Sequence, residues 1–512
     1  MTATTQLGIV IGYLLVALAV GLVAYRVTEA TVEDYYLASR TFGTVVLLFT
    51  VFATLLSAFT FFGGADLAYL YGPEWILVMG LMDGILFAIL WYVIGYKQWL
   101  LGRQEGYVTL GEMLGDRFGS RGLRLLVAGV SLFWLFPYVM LQQIGAGGAL
   151  RGLTDGAVPY WVGATLITVF MVAYVLLAGI RGVAWTDTLQ GVFMLGTVWV
   201  ALGWILLTNG IGTINAGLAA DHADFFALGG GFYSPQTMLT FAISIAFGVA
   251  MFPQVNQRFF TAGSETVLKR SFALWPVLVL ALFVPAFLLG TWAQGLGIAA
   301  DIGAGEHALP IMLTELTPGW FAALVIAGAL AAMMSSSDSM LLSGASYATR
   351  DVYRPLTSGD ETMDRRETWI GRIGVVLFAA GALVASLLIE TGVSAGVGAI
   401  LVDIGDLAFG GFAQLTLPVI VALYWRRTTR TGMLAGIILP QVLYLGFNFL
   451  APRLLVLPGI GPVTLFQSTY GGWGISLYCM VVGLVTTVVV SALTTPAPEE
   501  DAATYFERLS GD

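Results

Sequence analysis

The sequence predicts an all-α integral membrane protein with thirteen transmembrane helices, and three observations carry that prediction. Hydrophobic residues make up 58% of the 512 and charged residues only 10%, too few charges to cover a soluble globule of this length. The apolar residues fall into thirteen stretches, at about 7–25, 44–71, 75–99, 123–149, 159–179, 184–208, 236–260, 272–297, 319–347, 370–390, 397–424, 431–451 and 473–493. Each approaches or exceeds the roughly 20 residues that cross a bilayer. With the N-terminus outside, every Lys and Arg except Arg151 and Arg453 falls on one side, which places 22 − 2 = 20 basic residues there. Cationic loops stay in the cytoplasm, so the expected frame is a multi-pass protein of the cell membrane, N-terminus outside and C-terminus cytoplasmic. A wrong helix count would scramble this sorting.

Taken in order, the elements are expected to form a single integral membrane unit over 1–512. Residues 1–43 hold span 1, read as uncleaved because it lacks a basic leader and a small-residue cleavage site, and a cytoplasmic loop. Residues 44–424 hold spans 2–11, the expected core. Spans 12 and 13 lie in 425–493 and a tail in 494–512, where Pro496 and Pro498 precede acids. The loops are too short to carry a domain with its own core. Cys479 is the only cysteine, so no intrachain disulfide can form. His222 and His307 both fall in outer loops, which leaves no histidine expected at membrane depth. The net charge of −9 sits partly in outer loops, at Asp221, Asp224, Asp301, Glu306 and Glu315.

Two spans read as interrupted helices. Span 2 carries Thr54, Ser57, Thr60 and the pair Gly63–Gly64 in mid-membrane. Span 7 carries Gly248 and then Pro253, Gln254, Asn256 and Gln257. Proline donates no backbone bond and frees a carbonyl one turn earlier, and a freed carbonyl in a bilayer must find protein, water or an ion. The breaks stand five spans apart. That interval fits two inverted five-helix repeats, spans 2–6 and 7–11, in which solute and ion lie beside the broken first helix of each repeat. A solute cavity is therefore expected between the breaks, lined by Ser57, Thr60, Phe61, Gln254 and Asn256, with Asp83 of span 3 as a contributor. No Lys or Arg is expected near the midplane to receive a carboxylate.

Acids at depth are costly and usually functional; Asp83, Asp187, Asp338, Asp403 and Asp406 qualify, with Asp66 nearer the outer end of span 2. In span 9, Ala332, Ser335, Ser336 and Ser339 stand at i, i+3, i+4 and i+7 and share one helix face. That face offers hydroxyl oxygens and no soft ligand, a donor set that suits an alkali cation.

These segments resemble the sodium:solute symporter family, whose members include proline, pantothenate, monocarboxylate, sialic acid and sugar transporters. Asp34-Tyr35-Tyr36-Leu37-Ala38-Ser39-Arg40 is similar to the family's D-Y-F-L-A-x-R. Residues 179–190, Gly-Ile-Arg-Gly-Val-Ala-Trp-Thr-Asp-Thr-Leu-Gln, are similar to its W-T-D-containing motif, the most specific match. Span 9 is similar to its A-x-x-S-[ST] segment, followed by Arg350-Asp351-Val352-Tyr353. The resemblance implies a LeuT-type fold and sodium as coupling ion. It places sodium on the carbonyls of Ala53, Leu56 and Ala332 and the hydroxyls of Ser335 and Ser336. It places Asp187 on the inward ion path and, in members with a second sodium, Asp338 and Ser339 beside it. Asp338 stands where the family carries a hydroxyl.

The function these readings imply is sodium-coupled symport of a small carboxylate-bearing solute, such as an amino acid, a monocarboxylate or pantothenate, by alternating access. The expected partners are the solute, sodium and the bilayer, with no nucleic acid and no obligate protein. No enzyme chemistry is indicated, and no G-x-x-x-x-G-K-[ST] motif exists for nucleotide-driven pumping. The alternatives are a sugar-type symporter, a proton-coupled or sensory member of the same fold, and a channel. The tail is too short for a fused kinase.

Overall fold

The computed structural model describes residues 2–25, 37–299, 307–357, 363–392, 397–450, 453–457, 461–465, 468–496 and 505–507. Asp34, Tyr35, Tyr36, Asp301 and Glu306 lie outside them. Helices are numbered here after the expected spans. Ten described helices are long and apolar enough to cross a membrane, or twelve if each of two bent pairs is one span. The count of thirteen is therefore not reproduced by length and apolarity alone. The difference lies in Tyr160–Asn209, one helical run of 50 residues. At 1.5 Å per residue it would be ~75 Å long if straight, more than twice a hydrocarbon core of ~30 Å. It contains both expected spans 5 and 6, as the short apolar stretch Tyr160–Ala173 and the membrane-length stretch Gly182–Asn209.

The bent pairs are spans 2 and 7. Span 2 runs Thr44–Leu55, then Phe59–Tyr71, with a 67° bend; span 7 runs Pro235–Ala250, then Pro253–Thr261, with a 55° bend. No proline causes the first break. Leu56 is extended, at φ −80° and ψ 122°, and side chains from other spans take up the groups this frees. Ala58 N donates to Gln142 Oε1 of span 4 at 2.9 Å, and Ser336 Oγ of span 9 donates to Thr54 O at 2.9 Å. In span 7, Phe252 is extended before Pro253, as a residue preceding proline prefers. Asn256 Nδ2 then takes up Ala250 O at 3.1 Å and Phe252 O at 2.8 Å.

Spans 9 (Gly319–Leu356) and 11 (Leu401–Tyr424) are the most enclosed, with 83% and 78% of their apolar windows buried, whereas span 1 (Ala3–Val23) and span 10 (Trp369–Glu390) show 28% and 22%. Span 9 buries its serines and Asp338, whereas spans 1 and 10 expose apolar side chains such as Leu15, Val16, Leu377 and Leu388. Small residues let the backbones touch. A Cβ at Gly248 would lie 2.3 Å from Phe409 O, and one at Gly290 2.1 Å from Ala65 O, so neither position admits a larger residue without moving a helix.

The chain is not wholly α-helical. Between spans 12 and 13, Arg453–Leu457 pairs antiparallel with Gly461–Leu465, and Thr469–Tyr470 with Trp473–Gly474. The second hairpin turns on Gly471 and Gly472, both at positive φ, the backbone a two-residue hairpin loop requires. His307 also departs from expectation. It is fully buried, with Nδ1 2.7 Å from Asp66 Oδ2 and its ring stacked on Phe62. Asp66 Oδ1 accepts Ala308 N at 2.9 Å, so one carboxylate ties the second half of span 2 to the start of helix Ala308–Leu316. Elsewhere, Glu112 receives Arg124 at 3.0 Å and Arg350 at 2.8 Å, and Asp351 receives Arg124 at 2.9 Å. There the tail returns: the rings of Tyr505 and Phe506 lie 4.7 and 5.2 Å from the Arg117 guanidinium.

Candidate functional site

The break in span 2 faces span 9, and oxygens converge where they meet. Ser335 Oγ donates to Ala53 O at 2.7 Å and to Ala332 O at 2.9 Å. Ser336 Oγ reaches Leu56 O in a short contact, Thr54 O at 2.9 Å and Ala53 O at 3.5 Å. Each hydroxyl has one proton, yet each faces at least two carbonyls. Acceptor oxygens therefore outnumber protons in a region where Ala53, Ala332, Ser335 and Ser336 are fully buried. A small monovalent cation satisfies such a surplus of negative dipole ends. No carboxylate, thiolate or imidazole joins the cluster, and among the described residues no group of three His, Cys, Asp or Glu could hold a metal ion. The five residues expected from sequence are brought together, and Thr54 O joins them.

Below this cluster lies a charged network whose cation was not expected. Arg258, counted among the cytoplasmic charges, is fully buried with Asp187. Its Nη2 lies 3.2 Å from Asp187 Oδ2 and donates to Ser339 Oγ at 2.5 Å. Its Nε donates to Thr50 Oγ1 at 3.1 Å and its Nη1 to Gln254 O at 3.1 Å. Thr50 Oγ1 also donates to Asp187 Oδ2 at 2.5 Å, and Ser339 Oγ meets Thr54 Oγ1 at 2.8 Å. The expectation that no cation lies in the core is thus corrected. The short half-helix Pro253–Thr261 packs against spans 2, 3 and 9 and carries Arg258 inward, where Asp187 offsets the cost of burying it. Asp338 is fully buried with both carboxylate oxygens unpartnered. It lies within electrostatic reach of Asp187 and Arg258.

The expected solute residues divide. Ser57 Oγ meets Tyr138 OH at 3.0 Å. Thr60 and Phe61 are buried in the widened helical turn Phe59–Gly63 that follows the break. Gln254 is fully buried with neither amide atom partnered, and Asp83 is buried with Oδ1 unpartnered. Asn256 differs: its Nδ2 holds the two carbonyls of the span 7 break and its Oδ1 accepts Gln98 Nε2 at 2.5 Å. Its polar atoms are committed to the protein, so the structure makes it a clasp for the break and not a cavity-facing group. Tyr138 was not expected. Its ring lies 5.0 Å from that of Phe252 and 5.3 Å from that of Phe409, which joins spans 4, 7 and 11 around Ser57. The polar pair Gln142-Gln143 in the same apolar helix was a readable signal that span 4 serves the breaks.

The comparisons agree with this architecture. The model of the sodium:solute symporter family matches residues 35–439. The sodium/pantothenate symporter of Escherichia coli (strain K12) is 29% identical, covering 87% of this chain and 93% of its own length. The monocarboxylic acid transporter of Corynebacterium glutamicum is 26% identical over 84% of this chain and 81% of its own, and the sodium/proline symporter of Haemophilus influenzae 26% over 86% and 87%. Among solved structures, a substrate-bound, outward-open sodium-coupled sialic acid symporter superposes with a TM-score of 0.75 at 20% identity, over 96% of this chain and 99% of that one. MhsT in complex with L-phenylalanine superposes at 0.52 and 12% identity, over 88% and 99%. The fold is of the LeuT inverted-repeat type. The chain belongs to the sodium:solute symporter family, and it is a transporter, not an enzyme, that moves a small organic solute with sodium by alternating access.

Proposed function

We propose that the protein imports a small carboxylate-bearing solute with sodium bound at Ala53, Leu56, Ala332, Ser335 and Ser336. The observation that carries this reading is the convergence of carbonyls and two serine hydroxyls at the break of span 2. Sodium there holds spans 2 and 9 together; its loss toward the cytoplasm leaves only two hydroxyl protons to bridge them, which favours opening on that side. The solute lies on the far side of the break, against Ser57, Thr60, Phe61, Tyr138 and Gln254, where unpartnered Gln254 supplies both a donor and an acceptor. The relatives' substrates, pantothenate, proline and monocarboxylates, support a carboxylate. Asp187, Asp338 and Ser339 form the inward ion path, with Arg258 as its resident counter-charge. An N-terminus outside and a C-terminus in the cytoplasm, across thirteen spans, is supported by the distribution of the basic residues other than Arg258.

Uptake by proteoliposomes under an imposed sodium gradient tests this. Accumulation of proline, pantothenate or lactate that collapses when sodium is equal on both sides supports symport. Accumulation driven equally by a potassium gradient would show a leak and overturn it.

A further inference from the structure

A cavity of about 380 Å³ lies between the first half of span 7, span 11, span 12 and the hairpin that leads into span 13, within the size range of small-molecule sites. Hydrogen bonds between these elements hold its walls. Gly474 N donates to Thr240 Oγ1 at 3.1 Å, Tyr444 OH to Leu407 O at 3.2 Å, and Gln414 Nε2 to Ser476 O at 3.1 Å. None of the residues proposed above for sodium, the ion path or the solute lines it. Span 11 separates the two regions. Its Gly405, Phe409 and Phe412 pack on Phe59 and Phe252 beside the two breaks. At 3.6 residues per turn, Asp403 and Leu407 stand on the far side of the helix, with Asp406 at its edge.

Asp403 and Asp406 both line the cavity, three residues apart and so neighbours on the helix surface. Among the described residues, neither carboxylate enters a hydrogen bond or an ion pair, and no Lys, Arg or His lines the cavity. Ser476 points to a ligand by a different route. It is only 6% exposed and lines the same space, yet its hydroxyl bonds to none of the described residues. An enclosed hydroxyl without a partner is costly. An ammonium group answers both features, since it brings counter-charge to the acids and an N–H to the serine oxygen. The walls also include Phe241, Leu407, Phe449 and Ile475, which suit methylene groups and give a bare ion nothing. Among the described residues no group of three His, Cys, Asp or Glu could hold a metal ion. We propose that this cavity binds a small aliphatic diamine, with its ammonium groups on Asp403 and Asp406, an N–H on Ser476 Oγ, and its chain against Phe241 and Phe449.

Isothermal titration calorimetry of the purified protein with putrescine, at fixed ionic strength, tests this in wild type, Asp403→Asn, Asp406→Asn, Ser476→Ala and Gln254→Ala. Expected is saturable binding to the wild type, roughly tenfold tighter than that of butylamine or magnesium ion, as for one additional charge-assisted hydrogen bond. For the same reason Kd should rise about tenfold in each aspartate variant, and by a smaller factor of about three in Ser476→Ala. Gln254→Ala, in the proposed solute cavity, should leave Kd unchanged. Asp403 is exposed, so Asp403→Asn keeps the fold and reads the site even where Asp406→Asn does not. The proposal is overturned by no saturable binding to the wild type, by butylamine or magnesium binding as tightly as putrescine, or by an Asp403→Asn Kd within about twofold of wild type. A Kd raised by Gln254→Ala and by neither aspartate variant would put the amine in the solute cavity and overturn it as well.

Discussion

Replacing Ser335 or Ser336 by alanine probes the proposed sodium site directly, and the two substitutions should differ in an informative way. Each removes one of five oxygens. A hydrogen bond to a charged group contributes roughly 1.5–3 kcal/mol, and one neutral hydroxyl on sodium is taken at the middle of that range, about 2 kcal/mol. At about 1.4 kcal/mol per decade, sodium affinity then falls about thirtyfold. In wild type at a sodium concentration one hundred times Kd, the ion stabilises the fold by about 2.7 kcal/mol; after a thirtyfold loss the same concentration gives about 0.9 kcal/mol. The sodium-dependent part of the thermal shift should therefore shrink by about two thirds in each variant. Without sodium the variants should separate. Ser336 bridges Thr54 O and Leu56 O in the break, so Ser336→Ala leaves them unpaired and lowers the sodium-free Tm. Ser335 is bonded to Ala53 O and to Ala332 O of its own helix, and its loss should lower the sodium-free Tm less. Thermal denaturation with sodium or choline chloride, beside uptake at graded sodium, measures both effects. If both variants keep wild-type sodium dependence, the site is elsewhere.

Gln254→Ala should raise solute KM about tenfold, as expected for two lost neutral hydrogen bonds of ~0.5–1 kcal/mol each, with sodium binding retained; sodium lost and solute retained would refute the cavity assignment. Asn256→Ala, by contrast, should act mainly on stability, lowering Tm because Ala250 O loses its side-chain donor and Gln98 Nε2 its acceptor; a selective KM effect at unchanged Tm would return Asn256 to the cavity. Asp338→Ser, which restores the hydroxyl usual in the family, should change the sodium Hill coefficient of uptake, and an unchanged coefficient would make Asp338 structural. Glu112→Gln should destabilise by roughly 3 kcal/mol, the lower end for breaking a buried ion pair, because it weakens the acceptor shared by Arg124 and Arg350; a Tm within 1 °C of wild type would refute this. The Tyr505 phenol is pushed up to about 12 by burial, against the opposing pull of Arg117. Because the docked value is raised, the contact contributes fully below the ordinary value of 10 and is lost as pH climbs through 12. Protection of the tail from proteolysis by a protease active in alkali should persist to about pH 10 and fall above it; protection that instead falls between pH 6 and 8 would sink the assignment.

Much of the fold was legible because a bilayer imposes one-dimensional rules. Apolar length marks crossings, basic residues mark a side, and proline, glycine and serine at depth mark broken helices. The breaks in spans 2 and 7 and the serine face of span 9 followed from those rules before any contact was known, and family motifs located the carbonyls of Ala53 and Leu56. The tertiary structure decided what charge and polarity do once helices pack. Arg258 reads as cytoplasmic because the positive-inside rule counts charges and cannot see Asp187, 71 residues earlier in the chain, waiting in the core. His307 reads as loop because only packing brings Asp66 and Phe62 against it. Gln254 and Asn256 look alike in sequence, two amides beside one proline. Only the three-dimensional arrangement shows that Asn256 is consumed by the break while Gln254 remains unpartnered. Local sequence sets which groups a helix can offer, whereas hydrogen-bond satisfaction is settled between segments far apart in the chain, and the division between clasp, counter-charge and binding group is written there.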